Sequence, residues 1–447
     1  MSFAGGGLQR VQATACEVQA PLRVVGTCSA RCRKAPRLHD CATVKVALLN
    51  SYFAPEVIGG AEVVTADIAR GLRERGHDVI VLALTSGPAR CEQVDGVRVH
   101  RVPLANVFWP PSRAQGHLAV TGLFHAIDRY HPLMGARAGA ILDRERPAIL
   151  HTHNLLGWST AVWRAAQVRG LPIVHSLHDQ RLLCHRGSGM DRAGILCQRR
   201  CIECRLVGIG KLADTRLPTE VVGVSRWILD HHLAAGAFTG VRTGVIHNAA
   251  APAAARSIAP SARLRVGFLG RLLPEKGPLD LVAAVAALAS GGAPIEVVIA
   301  GDGPSRAALE HHRGAPLTLL GTVARDRLFD AVDVLVVPSR WNEPFGLVAI
   351  EALARGVPVL ASRRGGLPEI IEDGVTGWLY DPDDPNGLIE ALSRVLADRP
   401  RLGDFASRGL RYARRFAPEY QIAAYVDVYE RAVSARPTPP RGHLAMV

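Results

Sequence analysis

Two carboxylates, Glu343 and Glu351, stand eight positions apart in PSRWNEPFGLVAIEALARGVPVLASRRGGLPEIIEDGVTGWL, residues 338–379. That spacing puts Glu343 in a loop after an apolar run and Glu351 about two turns into the following helix. Negative charge near a helix start is favourable in any protein, so the pair alone reads equally well as solvated surface charge. The run Pro344-Phe345-Gly346 between them and the tract Gly365–Gly366 behind them make the segment more specific. Arg271 and Lys276, in RLLPEKG, follow another apolar run. Two fixed cations can neutralise a diphosphate without a divalent metal and stabilise charge on a leaving group; without further context, exposed Arg and Lys in a loop are ordinary solvated side chains. His153, in HTHN, and His178, before Asp179, both follow apolar runs and could take part in acid–base chemistry. Sequence position favours His178 for the closer role, with His153 the competitor. Gly59–Gly60 could let the backbone approach a phosphate or adopt positive φ, although a simple turn explains a glycine pair as well. Cys184, Cys197, Cys201 and Cys204 are spaced C-x12-C-x3-C-x2-C. Four thiolates ending in CxxC could hold a closed structural zinc; a disulfide pair or plain reduced thiols are the alternatives.

The elements that must position these groups alternate. VKVALLN (44–50) has the continuous apolar character of a parallel-sheet strand. A glycine-bearing loop follows, then a helix expected over 62–75 that stops at Gly76, then the strand DVIVLAL (78–84). This is a βαβ unit with a right-handed crossover. Further strands are expected at 148–151, 171–179, 220–225, with Ser225 capping the next helix, and 244–248. Residues 251–262, rich in Ala, Pro and Ser, read as a linker. A second series follows: LRVGFLG, a helix from about 278, IEVVIAG, LTLLG, VDVLVVPS, a helix through 354, and VPVLAS. The pattern predicts an α/β chain of two Rossmann-like, doubly wound domains, in which ligands bind beyond the carboxyl ends of the strands. The expected organisation is a disordered or mis-started extension over 1–43, an N-terminal domain over 44–250 with a Cys-rich loop at 184–204, the linker, a C-terminal domain over 263–417, a helix over 418–435 and a tail over 436–447. Residues 91–146 carry no pattern that we can read.

The motifs together resemble the family-4 retaining glycosyltransferases, whose C-terminal domains carry E-x7-E in the context EPFGLVxxEA. The resemblance extends to GFLGRLLPEKGPLDLV (267–282), to AGDGP (300–304) with Gly303, and to IGGAE and GHDV in the first half, and covers about residues 44–433. It implies the GT-B arrangement, two domains facing across a cleft. By the resemblance, Glu351 bonds the donor ribose and Glu343 lies near the donor sugar. Arg271 and Lys276 hold the diphosphate, and the amides of Phe345, Gly346 and Leu347 point at its distal phosphate. Gly59 and Gly60 close on the donor from the other domain, His178 acts near the sugar and acceptor, and the helix from Pro418 crosses back onto the N-terminal domain. It further implies retention of anomeric configuration and no metal cofactor for catalysis, leaving zinc a structural question only. The implied partners are a nucleoside diphosphate sugar and a sugar or lipid-linked acceptor.

The bulk properties agree. A chain of 447 residues accommodates two sizeable domains, and 48% hydrophobic with 21% charged residues describes a globular protein. The net charge of +13 favours anionic partners. A nucleic-acid-binding protein would cluster its bases with aromatics, but aromatics are only 5% of the chain and the bases are spread, so no nucleic-acid partner is expected. No apolar run reaches the ~20 residues of a membrane span. The expected location is cytoplasmic, with peripheral association at the inner membrane face as an option. The first 43 residues, basic and bearing four cysteines, make a poor signal peptide, and a start near Val44 would account for them. A dinucleotide oxidoreductase is disfavoured because no G-x-G-x-x-G follows the first strand. A sugar-nucleotide epimerase or a phosphorylase on the same architecture remains the alternative enzyme.

Overall fold

The computed structural model describes residues 43–110, 118–191, 193–252, 261–312 and 314–435. The expected extension apart from Thr43, most of the linker and the tail from 436 lie outside the described residues.

Fourteen strands among the described residues form two sheets. The first holds β1 (Lys45–Leu49), β2 (Asp78–Thr85), β3 (Arg90–Val94), β4 (Val97–Pro103), β5 (Ile149–Thr152), β6 (Ile173–Leu177), β7 (Glu220–Gly223) and β8 (Arg242–Val245), in the order β3-β4-β2-β1-β5-β6-β7-β8. All its pairings are parallel except β3 with β4. The second holds β9 (Leu264–Leu269), β10 (Ile295–Ala300), β11 (Leu317–Gly321), β12 (Val334–Val337), β13 (Val359–Ser362) and β14 (Gly377–Tyr380), all parallel, in the order β11-β10-β9-β12-β13-β14. Strands such as ILHT, VLVV and VLAS are buried at every position, as helices covering both faces require.

The order reverses beside the first strand of each sheet. Chain proceeds outward from β1 to β2 on one side and resumes at β5 on the other; in the second sheet the same happens at β9, flanked by β10 and β12. The loops leaving β1 and β5, and those leaving β9 and β12, therefore diverge and open two crevices. These loops carry Gly59–Gly60, His153, Arg271–Lys276 and Glu343.

Residues 91–110 and 118–146, in which no pattern was readable, carry regular structure. They form the β3–β4 hairpin and the helices Leu118–Arg129 and Pro132–Glu145. Asp95 and Gly96 turn the hairpin with φ of 50° and 74°. Positive φ at both central positions suits the strand twist and is what an Asp-Gly pair supplies, so this dipeptide was the signal that went unread.

The helix Pro418–Ser434 belongs structurally to the first sheet. Ile422, Tyr425, Val426 and Tyr429 are buried with Val64, Ile68 and Leu72 of the helix Gly60–Glu74 in one apolar cluster. A Cβ on Gly71 would come within 2.6 Å of Ile422, so glycine sets how closely these helices approach. Tyr429 Oη bonds His151 Nδ1 at 2.7 Å and Tyr425 Oη bonds Ser176 Oγ at 2.9 Å.

Candidate active site

Lys276 sits in the loop after β9 and Glu343 in the loop after β12, on either side of the second crevice. Lys276 Nζ donates to Glu343 Oε1 at 2.6 Å. The same oxygen accepts from Ser339 Oγ at 2.7 Å and Trp341 Nε1 at 2.9 Å. Burial pushes the Glu343 carboxyl up, but the Lys276 charge and these three bonds outweigh it and hold the group below its usual range. Glu343 is therefore a carboxylate, with Oε2 unpartnered among the described residues. The ammonium of Lys276 lies 5.0 Å from the centre of the Trp341 ring, and two of its three protons remain for a further acceptor. Gly365 forms the floor: its φ is +60°, and a Cβ there would strike the carbonyl oxygen of Glu343 at 2.0 Å. This is the physical reason for a glycine behind the first carboxylate.

Glu351 lies within the helix Leu347–Leu353 and forms an ion pair with Arg325. Burial raises its pKa to about 7, Arg325 opposes the rise, and Asp67 of the other domain adds to it. Neither Arg325 nor Asp67 was legible as a site residue, because only the tertiary fold brings them near Glu351. Gly346 caps this helix with φ of 101°. The helix has seven residues, so anion binding here rests on individual amides and cations rather than on a long aligned dipole. The amides of Phe345, Gly346 and Leu347 donate to no acceptor among the described residues outside the helix itself.

The first domain faces this site. An added Cβ on Gly60 would lie 3.7 Å from Leu347. Gly59 has extended backbone, φ −153°, and its amide donates to Glu62 Oε2 at 2.7 Å. The glycine pair thus needs no positive φ; its lack of side chains leaves room opposite the start of the helix Leu347–Leu353. Arg271 is exposed, has no ion-pair partner among the described residues, and acts electrostatically on the buried Glu62 across the gap.

His153 and His178 follow β5 and β6 and bond each other, Nδ1 to Nε2, at 2.9 Å. Burial lowers the His178 pKa to about 4 and drives His153 well below its usual value, so both rings are neutral near pH 7. His153 Nε2 is buried with no partner and lines a cavity of about 30 Å³, room for about one water. The cavity is also lined by His125, Asp128, Asp179, Arg181 and Lys211. Both rings line the cavity, but His153 is 2% exposed with Nε2 sealed from solvent, whereas His178 is only partly buried and is the more open of the two.

Comparison with known proteins places the chain in a family. Residues 58–254 match the family described as Glycosyltransferase Family 4, and residues 254–412 match Glycosyl transferases group 1. A D-inositol 3-phosphate glycosyltransferase from Streptomyces avermitilis is 32% identical over 343 residues, 70% of this chain and 71% of that protein. The chain belongs to the group 1 glycosyltransferases. An uncharacterised 42.6 kDa protein in the cps region of Klebsiella pneumoniae is 30% identical over 330 residues, 73% of this chain and 87% of its own. Among solved structures, sucrose-phosphate synthase from Thermosynechococcus elongatus superposes with a TM-score of 0.71 at 22% identity, covering 88% of this chain and all of that one. HepE from Anabaena, in complex with UDP and glucose, gives 0.63 at 19%, covering 87% and all of it. Both likenesses concern the fold, which is GT-B.

The cysteine loop of this glycosyltransferase does not assemble as a four-thiolate staple. Among the described residues no group of three or more His, Cys, Asp or Glu side chains is arranged to hold a metal ion. Cys184 and Cys204 are buried, whereas Cys197 and Cys201 are exposed. The two buried thiols interact, which lowers the Cys184 pKa and raises that of Cys204, and Cys204 Sγ also lies 3.4 Å from His185 Nδ1. Cys201 instead caps the helix Ile202–Val207, its sulfur accepting from Cys204 N at 3.4 Å. Whether these free thiols hold the structural zinc that their spacing suggests is a question for metal analysis of the purified protein.

Contacts near Ser225 hold the two domains of the glycosyltransferase in register. Ser225 Oγ accepts from Ile228 N at 3.1 Å, as a helix cap, and donates to Pro344 O at 2.6 Å. Glu369 accepts from the amides of Arg226 and Trp227, each at 2.8 Å, and lies 3.2 Å from His247 Nε2.

Proposed function

We propose that the protein transfers a glycosyl group from a nucleoside diphosphate sugar to an acceptor hydroxyl, with retention at the anomeric carbon and without a metal ion. The observation that carries this reading is the Lys276–Glu343 pair across the second switch point, with Arg271 exposed beside it. The UDP named with the HepE structure supports a nucleotide donor here. In this reading Arg271 and the two remaining Lys276 protons bind the diphosphate, helped by the amides of Phe345, Gly346 and Leu347. Positive charge at the phosphates stabilises the leaving group as its bond to the sugar breaks, which is the task a metal would otherwise perform. Glu351 accepts from the ribose hydroxyls, and Glu343 Oε2 accepts from the donor sugar. The acceptor lies against the first domain, where His178, held by its bond to His153, orients the sugar or the incoming hydroxyl. Attack comes from the face the phosphate leaves, and the departing phosphate oxygen takes the hydroxyl proton. A lipid-linked sugar is the acceptor class we favour.

The test is calorimetric binding of UDP, GDP and ADP in the presence of EDTA, wild type beside Glu351→Ala. One diphosphate binding at micromolar level, insensitive to EDTA and lost in the variant, is the expected result and names the donor base. If all three fail to bind, or if binding requires a divalent ion, the metal-independent donor site is wrong.

A further inference from the structure

The segment between β6 and β7 presents apolar side chains to water. Ile195, Ile202, Leu206 and Ile209 are 64%, 74%, 57% and 52% exposed. Ile202 and Leu206 lie four apart on the helix Ile202–Val207 and share a face, while Cys204 is buried. A helix that covers a core does the reverse, burying its aliphatic face. The patch continues onto the neighbouring helix Leu118–Arg129, where Leu123 is exposed and Arg129 Nε donates to Ile209 O at 2.8 Å.

The segment that bears the patch is basic. Residues 186–211 contain six basic residues and two acidic ones. One of the acids, Glu203, already pairs with Arg186 at 3.4 Å, so Arg129, Arg199 and Arg205 stand exposed without a matching surplus of acid. His185 and Lys211 of the same segment, and His125 of the neighbouring helix, line the cavity that His153 faces. The apolar, basic face is thus the outer side of the wall of the proposed acceptor site.

We propose that this face docks on an anionic lipid bilayer. Aliphatic side chains enter the headgroup boundary while the arginines meet lipid phosphates, the combination that gives reversible peripheral binding. No helix among the described residues is long and apolar enough to cross a membrane, so contact is made by the surface alone. A protein partner is less well matched, since the patch offers aliphatics and arginine but few of the aromatic anchors that dominate protein interfaces. The inference rests on the lipid-linked acceptor of the proposed function, and names the surface that would bring the enzyme to it.

The experiment is co-sedimentation of the full chain with vesicles of phosphatidylglycerol and phosphatidylcholine, against vesicles of phosphatidylcholine alone. Wild type sediments with the anionic vesicles only. Ile202→Asp/Leu206→Asp and Arg199→Glu/Arg205→Glu each reduce partitioning by roughly tenfold or more. All these side chains are exposed, so both variants keep their fold, and both keep nucleoside diphosphate binding. Wild type remaining in the supernatant, or both variants sedimenting as wild type does, overturns the proposal. So does a wild-type dimer that Ile202→Asp/Leu206→Asp dissolves without any vesicle binding, which gives the face to a second copy of the chain. Should diphosphate binding fail while vesicle binding holds, the transfer reading falls and the docking surface stands.

Discussion

One oxygen, Glu343 Oε1, takes hydrogen bonds from an ammonium, a hydroxyl and an indole. Removing Lys276 leaves a buried carboxylate without its charge partner. Lys276→Ala is expected to cost roughly 2–3 kcal/mol, less than a fully buried pair because the lysine is partly open to water. Lys276→Ala/Glu343→Gln recovers most of that stability but not diphosphate affinity; urea unfolding beside calorimetry separates the two, and a double variant as unstable as the single one would refute the pairing argument. The Glu343 pKa is depressed in the fold, so its contribution is present above the unfolded value of 4.5 and is lost as pH falls through the folded value. Glu351 behaves in the opposite way. Its folded pKa, about 7, exceeds the unfolded 4.5, so the native state holds the proton more tightly and stability declines as pH rises between those values. A ribose diol needs the ionised form as acceptor. Diphosphate affinity is therefore expected to weaken as pH drops below about 7, and Arg325→Ala, by removing the charge that favours ionisation, moves that midpoint upward. A pH-independent dissociation constant would contradict the ribose role. Glu351→Gln should be more stable than wild type above pH 7 in thermal melts, and bind diphosphate less well.

At the level of elements, the position of each reacting group follows from where a strand ends. Apolar runs of four to six residues identified nearly all the parallel strands, because a strand covered on both faces has no polar alternation to blur it. The loops after β1 and β5, and those after β9 and β12, part to flank a crevice only because the strand order reverses there, and order is a property of pairing that no local pattern encodes. The β3–β4 hairpin was missed although Asp95-Gly96 announces it, since its strands carry Arg, Glu, Gln and His and lack the apolar run of their parallel neighbours. Glu369 acts as a cap supplied by one domain to a helix of the other. Burial raises its pKa, but His247 and the amides of Trp227 and Arg226 bring it below the usual range, so this link is present above pH 4.5 and released in acid. Glu369→Ala is expected to cost about 1–2 kcal/mol, in line with loss of a helix cap. It should also increase the radius of gyration in solution scattering; an unchanged radius would show that Ser225 and Pro344 suffice to hold the domains.

For the whole molecule, the helix Pro418–Ser434 makes the first domain depend on the end of the chain. Ile422, Tyr425, Val426, Val428, Tyr429 and Ala432 are all buried. Ending the chain at Ala417 uncovers these partners and strips Tyr425 and Tyr429 from Ser176 and His151, so the truncated protein is expected to aggregate on expression. A soluble, cooperatively melting truncation would show that the helix is an accessory.

Local residue patterns were enough to reveal the alternation of strands and helices, and with it two doubly wound domains. They also marked the segments that carry chemistry, because motifs such as EPFGLVAIEA combine several residue types at fixed spacing within one loop and helix. Those are local properties, set by burial on two faces and by helical geometry. That His153 and His178 bond each other, that Lys276 is already bound to Glu343, that Arg325 and Asp67 tune Glu351, and that Cys201 caps a helix beside the buried Cys184 and Cys204 emerge only from the three-dimensional fold. Each depends on groups far apart in the chain meeting in a low-dielectric interior, where distance and burial govern charge and hydrogen bonding.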